Sequence, residues 1–184
     1  MFLCRDNEEQ KDGLTHMLEY MWEEYAHAGR SLAMGTCVEI GTYIGEAAAI
    51  FSKYFYQVHT IDPWDTEFVS AIAGERMTEQ DILTEYYAHV DACPNVVQIK
   101  KPSLLAARDF EDNTLDLVYI DGWHHYSVVV ADIMTWLPKV RQGGWIGGHD
   151  YHTKLNSQVI PAVKAMLSAP DRVFDDKSWI KRVM

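Results

Sequence analysis

The stretch VEIGTYIGEAAAIFSKYFYQVHTID, residues 38–62, decides the fold. It opens on a short β-rich run that stops at Gly41, turns through a loop closed by Gly45, and passes into an Ala-rich segment suited to a helix. A second β-rich run, QVHTI, follows and ends on Asp62. Strand, tight turn, helix and strand in succession make a βαβ unit, whose two strands lie parallel.

The same alternation recurs outward from this unit. VVQIK (96–100), LDLVYID (115–121) and GWIGGHD (144–150) read as further strands, with LLAARDF (104–110) and SVVVADIMTWLPKV (127–140) as helices between them. SQVIPAVKAMLSA (157–169) is another helix, kinked or begun at Pro161, and RVF (172–174) and SWIKRV (178–183) close the chain as two short strands. Upstream, Leu14, Met17, Leu18, Met21, Trp22 and Tyr25 fall at helical spacing, the stripe of an amphipathic helix packed on a core. The fold class is therefore α/β: a Rossmann-like, mostly parallel sheet with helices on both faces.

One domain spanning 1–184 accounts for the length, with 1–33 as an N-terminal helical extension and 63–93 as a cap over an acceptor site. Within that cap, TEQDILTEYYAHV (78–90) is helical. A formal net charge of -11 makes a nucleic-acid or anionic-membrane partner unfavourable, and no dense Lys/Arg block offsets it. No apolar run approaches membrane length, and Cys4, Cys37 and Cys93 form no CxxC pair. Reduced thiols and a cytoplasmic setting are expected, with homo-oligomerisation left open.

In parallel sheets of this kind, ligands sit beyond the carboxyl ends of the strands. The polar residues that fall there are Glu39 through Gly45, Asp62, Ser103, Asp121 through His125, and His149 with Asp150. Gly41 and Gly45 let backbone approach a ligand, and Asp62 stands at the spacing of a carboxylate that accepts from ribose hydroxyls. Two nucleoside ligands compete for such a site. A dinucleotide needs closely set glycines for its pyrophosphate, and Tyr43 stands where the middle one belongs. A ligand with ribose and amino-acid ends, S-adenosylmethionine for example, suits this loop and lets Glu39 help hold an ammonium group.

EIGTYIG (39–45), IDGWHHY (120–126) and GGWIGGHDY (143–151) occur in the order and spacing of the class I S-adenosylmethionine-dependent methyltransferases. The sequence resembles their small-molecule, O-methyltransferase-like branch over residues 36–152. The resemblance implies a seven-stranded sheet with an antiparallel last strand. It implies the methionine end of the cofactor on Glu39, Gly41, Tyr43 and Gly45, the ribose on Asp62, Trp64 over the adenosine, and Ser103 at adenine, with Asp121 beside the cofactor. It also implies a divalent cation on Asp121, His149 and Asp150, as Mg²⁺ or Mn²⁺ before Zn²⁺.

The chain departs from that pattern at several points, Gln142 for a common proline before Gly143 and Gly144 being a minor one. Lys-Lys-Pro-Ser at 100–103 replaces a Gly-Asp-Ser-like turn, His149 replaces an acidic residue, and Trp123 stands where relatives carry a basic aspartate. His124 and His149 are then the candidates for catalytic proton transfer, and Trp123 for lining the acceptor pocket. The expected activity is methyl transfer to a small-molecule acceptor, at a hydroxyl oxygen. The alternatives are an NAD-type oxidoreductase and an inactive homologue that still binds S-adenosylmethionine.

Overall fold

A computed structural model describes residues 8–29, 35–67, 70, 76–152 and 158–184. Its helices are α1 (Glu8–His27), α2 (Glu46–Phe51), α3 (Glu79–Val90), α4 (Ser103–Ala106), α5 (Tyr126–Trp136) and α6 (Val159–Leu167). Its strands are β1 (Thr36–Ile40), β2 (Gln57–Ile61), β3 (Val96–Ile99), β4 (Leu115–Ile120), β5 (Val140–Gly148), β6 (Arg172–Val173) and β7 (Trp179–Arg182). They form one sheet in the order β3-β2-β1-β4-β5-β7-β6. The five strands from β1 to β5 run parallel, and β7 pairs antiparallel with both β5 and β6. The expected mostly parallel sheet with an antiparallel end is what the chain adopts.

Strand residues alternate between two buried faces, so the strands read as apolar throughout. Val38, Ile40, Val118, Ile120 and Ile146 pack with Trp136 of α5 and Val163 of α6. Cys37, Leu117, Tyr119 and Trp145 pack on the other face with Phe51 of α2 and with Leu14, Met17, Leu18, Met21 and Tyr25 of α1. Trp22 leaves that stripe and is exposed, a correction to the helical pattern. Between β2 and β3, α3 is started by a capping box in which Thr78 Oγ1 accepts from the Asp81 backbone N–H and the Asp81 carboxylate accepts from the Thr78 backbone N–H.

Strand β5 begins earlier than its apolar run, at Val140, and takes in Arg141 to Gly143 through a register shift against β4. Asp116 anchors this end: its carboxylate accepts from Arg141 and from the Thr36 backbone N–H, so β1, β4 and β5 meet on one buried acid. Strand order reverses between β1 and β4, and the crevice such a reversal opens lies at their carboxyl ends. Among the described residues, no helix is long and apolar enough to cross a membrane.

Candidate active site

The crevice floor is built from the exits of β1, β2 and β4. The Gly41 N–H donates to Ile61 O and the Asp121 N–H to Ile40 O, each at 2.8 Å, so the three strand ends are laced together. Gly41 holds φ 82°, and a Cβ there would lie 2.5 Å from the Asp121 carbonyl oxygen. Only glycine permits that backbone approach. The loop then rises through Tyr43, at φ 48°, to Gly45, which precedes α2 in the left-handed region.

Asp62 locks this loop. Its Oδ2 accepts from the Tyr43 N–H at 3.0 Å and its Oδ1 from the Trp64 N–H at 2.7 Å. Burial pushes the Asp62 carboxyl upward, and these two backbone bonds work against it. The Trp64 indole donates to Tyr43 O at 2.9 Å, packs edge-on to Tyr86, and is 2% exposed. It props the loop from beneath, its ring packed in the core around Ile44, Met77 and Tyr86.

Glu39 lies deeper, 1% exposed, and its Oε2 accepts from the Thr42 hydroxyl at 2.6 Å. Burial pushes its pKa up to about 8; the Thr42 bond opposes the rise, and the charges of Asp121 and Asp62 add to it. Ser103 is turned elsewhere. Its hydroxyl donates to Asp132 at 2.6 Å and accepts from the Trp136 indole at 2.8 Å. Asp132 and Trp136 lie in the second and last turns of α5, so this hydroxyl faces the helix body and not the crevice at its start.

On the β4–β5 side, Asp121 and Asp150 converge as neighbouring strands predict. Asp150 sits at φ 57° just past β5, and this turn brings its carboxylate back over the sheet. His124 Nε2 lies 3.0 Å from Asp150 Oδ2 and 3.7 Å from Asp121 Oδ1. His149 Nδ1 is farther, at 3.5 Å and 4.0 Å from the same two atoms. His152, which the sequence reading did not single out, meets Asp150 Oδ1 at 2.8 Å. Burial opposes charge on both His124 and His149, but the carboxylates prevail and hold their pKa values at about 10 and about 9. The same two imidazoles overcome burial at Asp150 and hold its carboxyl well below the usual range.

Asp121, His124 and Asp150 each offer one ligand atom, and these atoms lie within 4.8 Å of one another. The histidine inside this set is His124, and the expected ligand His149 stands just beyond it, against the same two carboxylates. One Nε2 nitrogen, that of His149, is buried with no hydrogen-bond partner among the described residues. At the rim, Trp123 is exposed and stands edge-on to His125 at 5.0 Å between ring centroids. His125 does not cap α5 with its side chain; the Tyr126 N–H donates instead to Gln158 Oε1 at 2.8 Å. Gln158 acts through a partner 32 residues away that is near only on folding, whereas Thr42 and His152 meet acids three and two residues back along the chain. Of the segment 63–93 expected as a cap, Met77 and α3 pack in the buried cluster around Ile44 and Trp64, and residues 68, 69 and 71–75 lie outside those described.

A family model described as a methyltransferase domain matches residues 38–151, from β1 through the Asp150 turn. The chain belongs to that family. This methyltransferase domain is 29% identical over 140 residues to the uncharacterized protein R132 of Acanthamoeba polyphaga mimivirus, a match covering 72% of the chain and 59% of that relative. The chain therefore spans a little over half the length of that relative. Its fold is similar to the O-methyltransferase NovP, with a TM-score of 0.61 and 16% identity over 93% of this chain and 79% of that one. It is equally similar to an rRNA methylase from Streptococcus thermophilus, with a TM-score of 0.62 and 11% identity over 94% of this chain and 97% of that one. At such identities the likeness is one of fold.

Proposed function

We propose that the methyltransferase domain binds S-adenosylmethionine across the β1, β2 and β4 exits and transfers its methyl group to a hydroxyl of a small-molecule acceptor. The observation that carries this reading is the acidic cradle. Glu39, Asp62 and Asp121 stand at the strand exits around a crevice whose loop carries Tyr43 where a dinucleotide site has its middle glycine. Such a cradle repels the diphosphate of NAD and attracts the ammonium and sulfonium of S-adenosylmethionine. Asp62 keeps one lone pair on each oxygen beyond its two backbone bonds, enough for two ribose hydroxyls.

In the transfer, the acceptor oxygen attacks the sulfonium methyl in line, the C–S pair leaves on sulfur as the neutral thioether, and the hydroxyl proton passes to a base. The histidines beside Asp121 and Asp150 are placed to take it once they have given up the protons that the two carboxylates hold on them in the free protein. A divalent cation fits the same spot, because two carboxylates and an imidazole make a mixed oxygen and nitrogen donor set suited to Mn²⁺ or Zn²⁺ as well as Mg²⁺. Asp121, His124 and Asp150 would hold it, and its charge would orient and acidify the acceptor hydroxyl. His149, outside the ligand set but against Asp150, is then the imidazole left for the proton. The net charge of -11 argues for a small acceptor over RNA.

Calorimetric titration with S-adenosylhomocysteine and with NAD tests the cofactor. Binding of the first and not the second is expected. Binding of NAD alone overturns the proposal. A screen of hydroxylated acceptors for formation of S-adenosylhomocysteine then tests the reaction.

A further inference from the structure

We propose that Glu39 holds a proton in the free protein and releases it to solvent when a ligand ammonium enters the crevice, so that cofactor binding is coupled to proton release. The inference rests on the cofactor reading above and adds to it the state of charge in which the site waits.

Glu39 is fully enclosed. In register beside it stand Thr60 of β2 and Tyr119 of β4. Each has its hydroxyl committed elsewhere: Thr60 to Tyr86 of α3 at 2.7 Å, and Tyr119 to Ser178 at 2.8 Å. Cys37 lies two residues back on the same strand face. The groups that act on the carboxyl electrostatically from the next strand exits are Asp62 and Asp121, both acids. Thr42 supplies its one hydrogen bond. Among the described residues, no Lys, Arg or His lies within ion-pair distance of it. The contrast with Asp150 is direct, since that carboxylate has histidines on both oxygens.

An ionised carboxylate without a counter-charge is among the costliest groups to bury, and a buried acid avoids the cost by keeping its proton. The upward push on Glu39, to about 8, agrees with that placement. A ligand ammonium supplies the missing charge. The carboxylic acid then becomes a carboxylate paired with the ammonium, and the proton passes to buffer.

Titration calorimetry at pH 7.0 in phosphate and in Tris, whose ionisation enthalpies differ, counts the protons. S-adenosylhomocysteine is expected to release close to one proton per site more from the wild-type protein than from Glu39→Gln. 5′-Methylthioadenosine, which keeps the nucleoside thioether and lacks the amino-acid end, is expected to release none. That comparison uses the unaltered protein, so it stands even where the substitution abolishes binding. Proton counts that are equal for the two ligands in the wild-type protein would overturn the inference. Failure of S-adenosylhomocysteine to bind at all would overturn the cofactor reading beneath it.

Discussion

Replacing Asp62 by asparagine separates its two duties. In the free protein its oxygens accept from the Tyr43 and Trp64 N–H groups, both charge-assisted bonds. Asparagine has the same shape but one acceptor oxygen, so one bond survives as a neutral one and one N–H faces an amide N–H₂. A hydrogen bond to a charged group contributes about 1.5–3 kcal/mol, and a stranded buried donor costs a similar amount. The free protein is expected to lose about 2–4 kcal/mol, or roughly 4–16 °C in melting temperature for a chain of this size. Cofactor affinity should fall as well, because one ribose hydroxyl loses an anionic acceptor; about 1.5–3 kcal/mol corresponds to roughly a 10- to 150-fold rise in Kd. Thermal melts without ligand read the first effect, and titration with S-adenosylhomocysteine well below the variant's melting point reads the second. An unchanged melting temperature would refute the clamp. An unchanged Kd in a destabilised variant would leave the clamp standing and remove Asp62 from the cofactor site.

Gly41→Ala should destabilise the protein by more than about 2 kcal/mol in urea, since the new methyl meets the Asp121 carbonyl at 2.5 Å and the residue must keep φ 82°. A cost below about 0.5 kcal/mol would mean the strand exits are not packed as described. Glu39 makes stability pH-dependent: the unfolded chain gives up this proton near its ordinary value of 4.5 and the folded protein near about 8, so stability is lost as pH rises through that window. The slope approaches about 1.4 kcal/mol per pH unit, and Glu39→Gln should flatten the difference in urea midpoints between pH 5 and pH 8. An identical pH profile in the variant would show that the carboxyl is not held neutral. Mn²⁺ binding followed by electron paramagnetic resonance should weaken at least tenfold in His124→Ala and much less in His149→Ala. The reverse order would return the ligand role to His149, and no binding by the wild-type protein would dismiss the cation.

The fold was legible because its signals are local. A glycine turn between a strand and a helix, and strands apolar on both faces, announce a parallel sheet without any long-range knowledge. The convergence of Asp121 and Asp150 was legible for a related reason: each ends one of two neighbouring strands. What sequence could not supply was direction. Trp64 and Ser103 lie where a ligand would be, but their polar atoms are spent on Tyr43, Asp132 and Trp136, partners 21 to 33 residues away. His149 is adjacent to Asp150, yet His124 reaches both carboxylates more closely, because the β4–α5 loop folds over them. His152 escaped notice since nothing in its spacing separates a ring turned back onto Asp150 from one turned to solvent.

Charge divides the crevice into two unlike halves. On the β4–β5 side, Asp121 and Asp150 have imidazoles within 3.0 to 3.7 Å, so that half is close to neutral in the free protein and tolerates an uncharged acceptor. On the β1–β2 side, Glu39 and Asp62 have hydroxyl and backbone donors but no cation among the described residues. Among the described residues a positively charged ligand would gain most on that side, so the proposed cofactor would lie with its ammonium toward β1 and the group to be transferred toward the histidines. Once the sulfonium has become a neutral thioether, one of the two attractions is gone while the ammonium contact to β1 is unchanged. The product should therefore bind more weakly than the cofactor by the sulfonium contribution alone, and that difference, unlike the ammonium contribution, should survive Glu39→Gln. Equilibrium dialysis of both ligands against the two proteins reads the two contributions separately. Equal affinity of cofactor and product in the wild-type protein would show that the cradle does not sense the sulfonium.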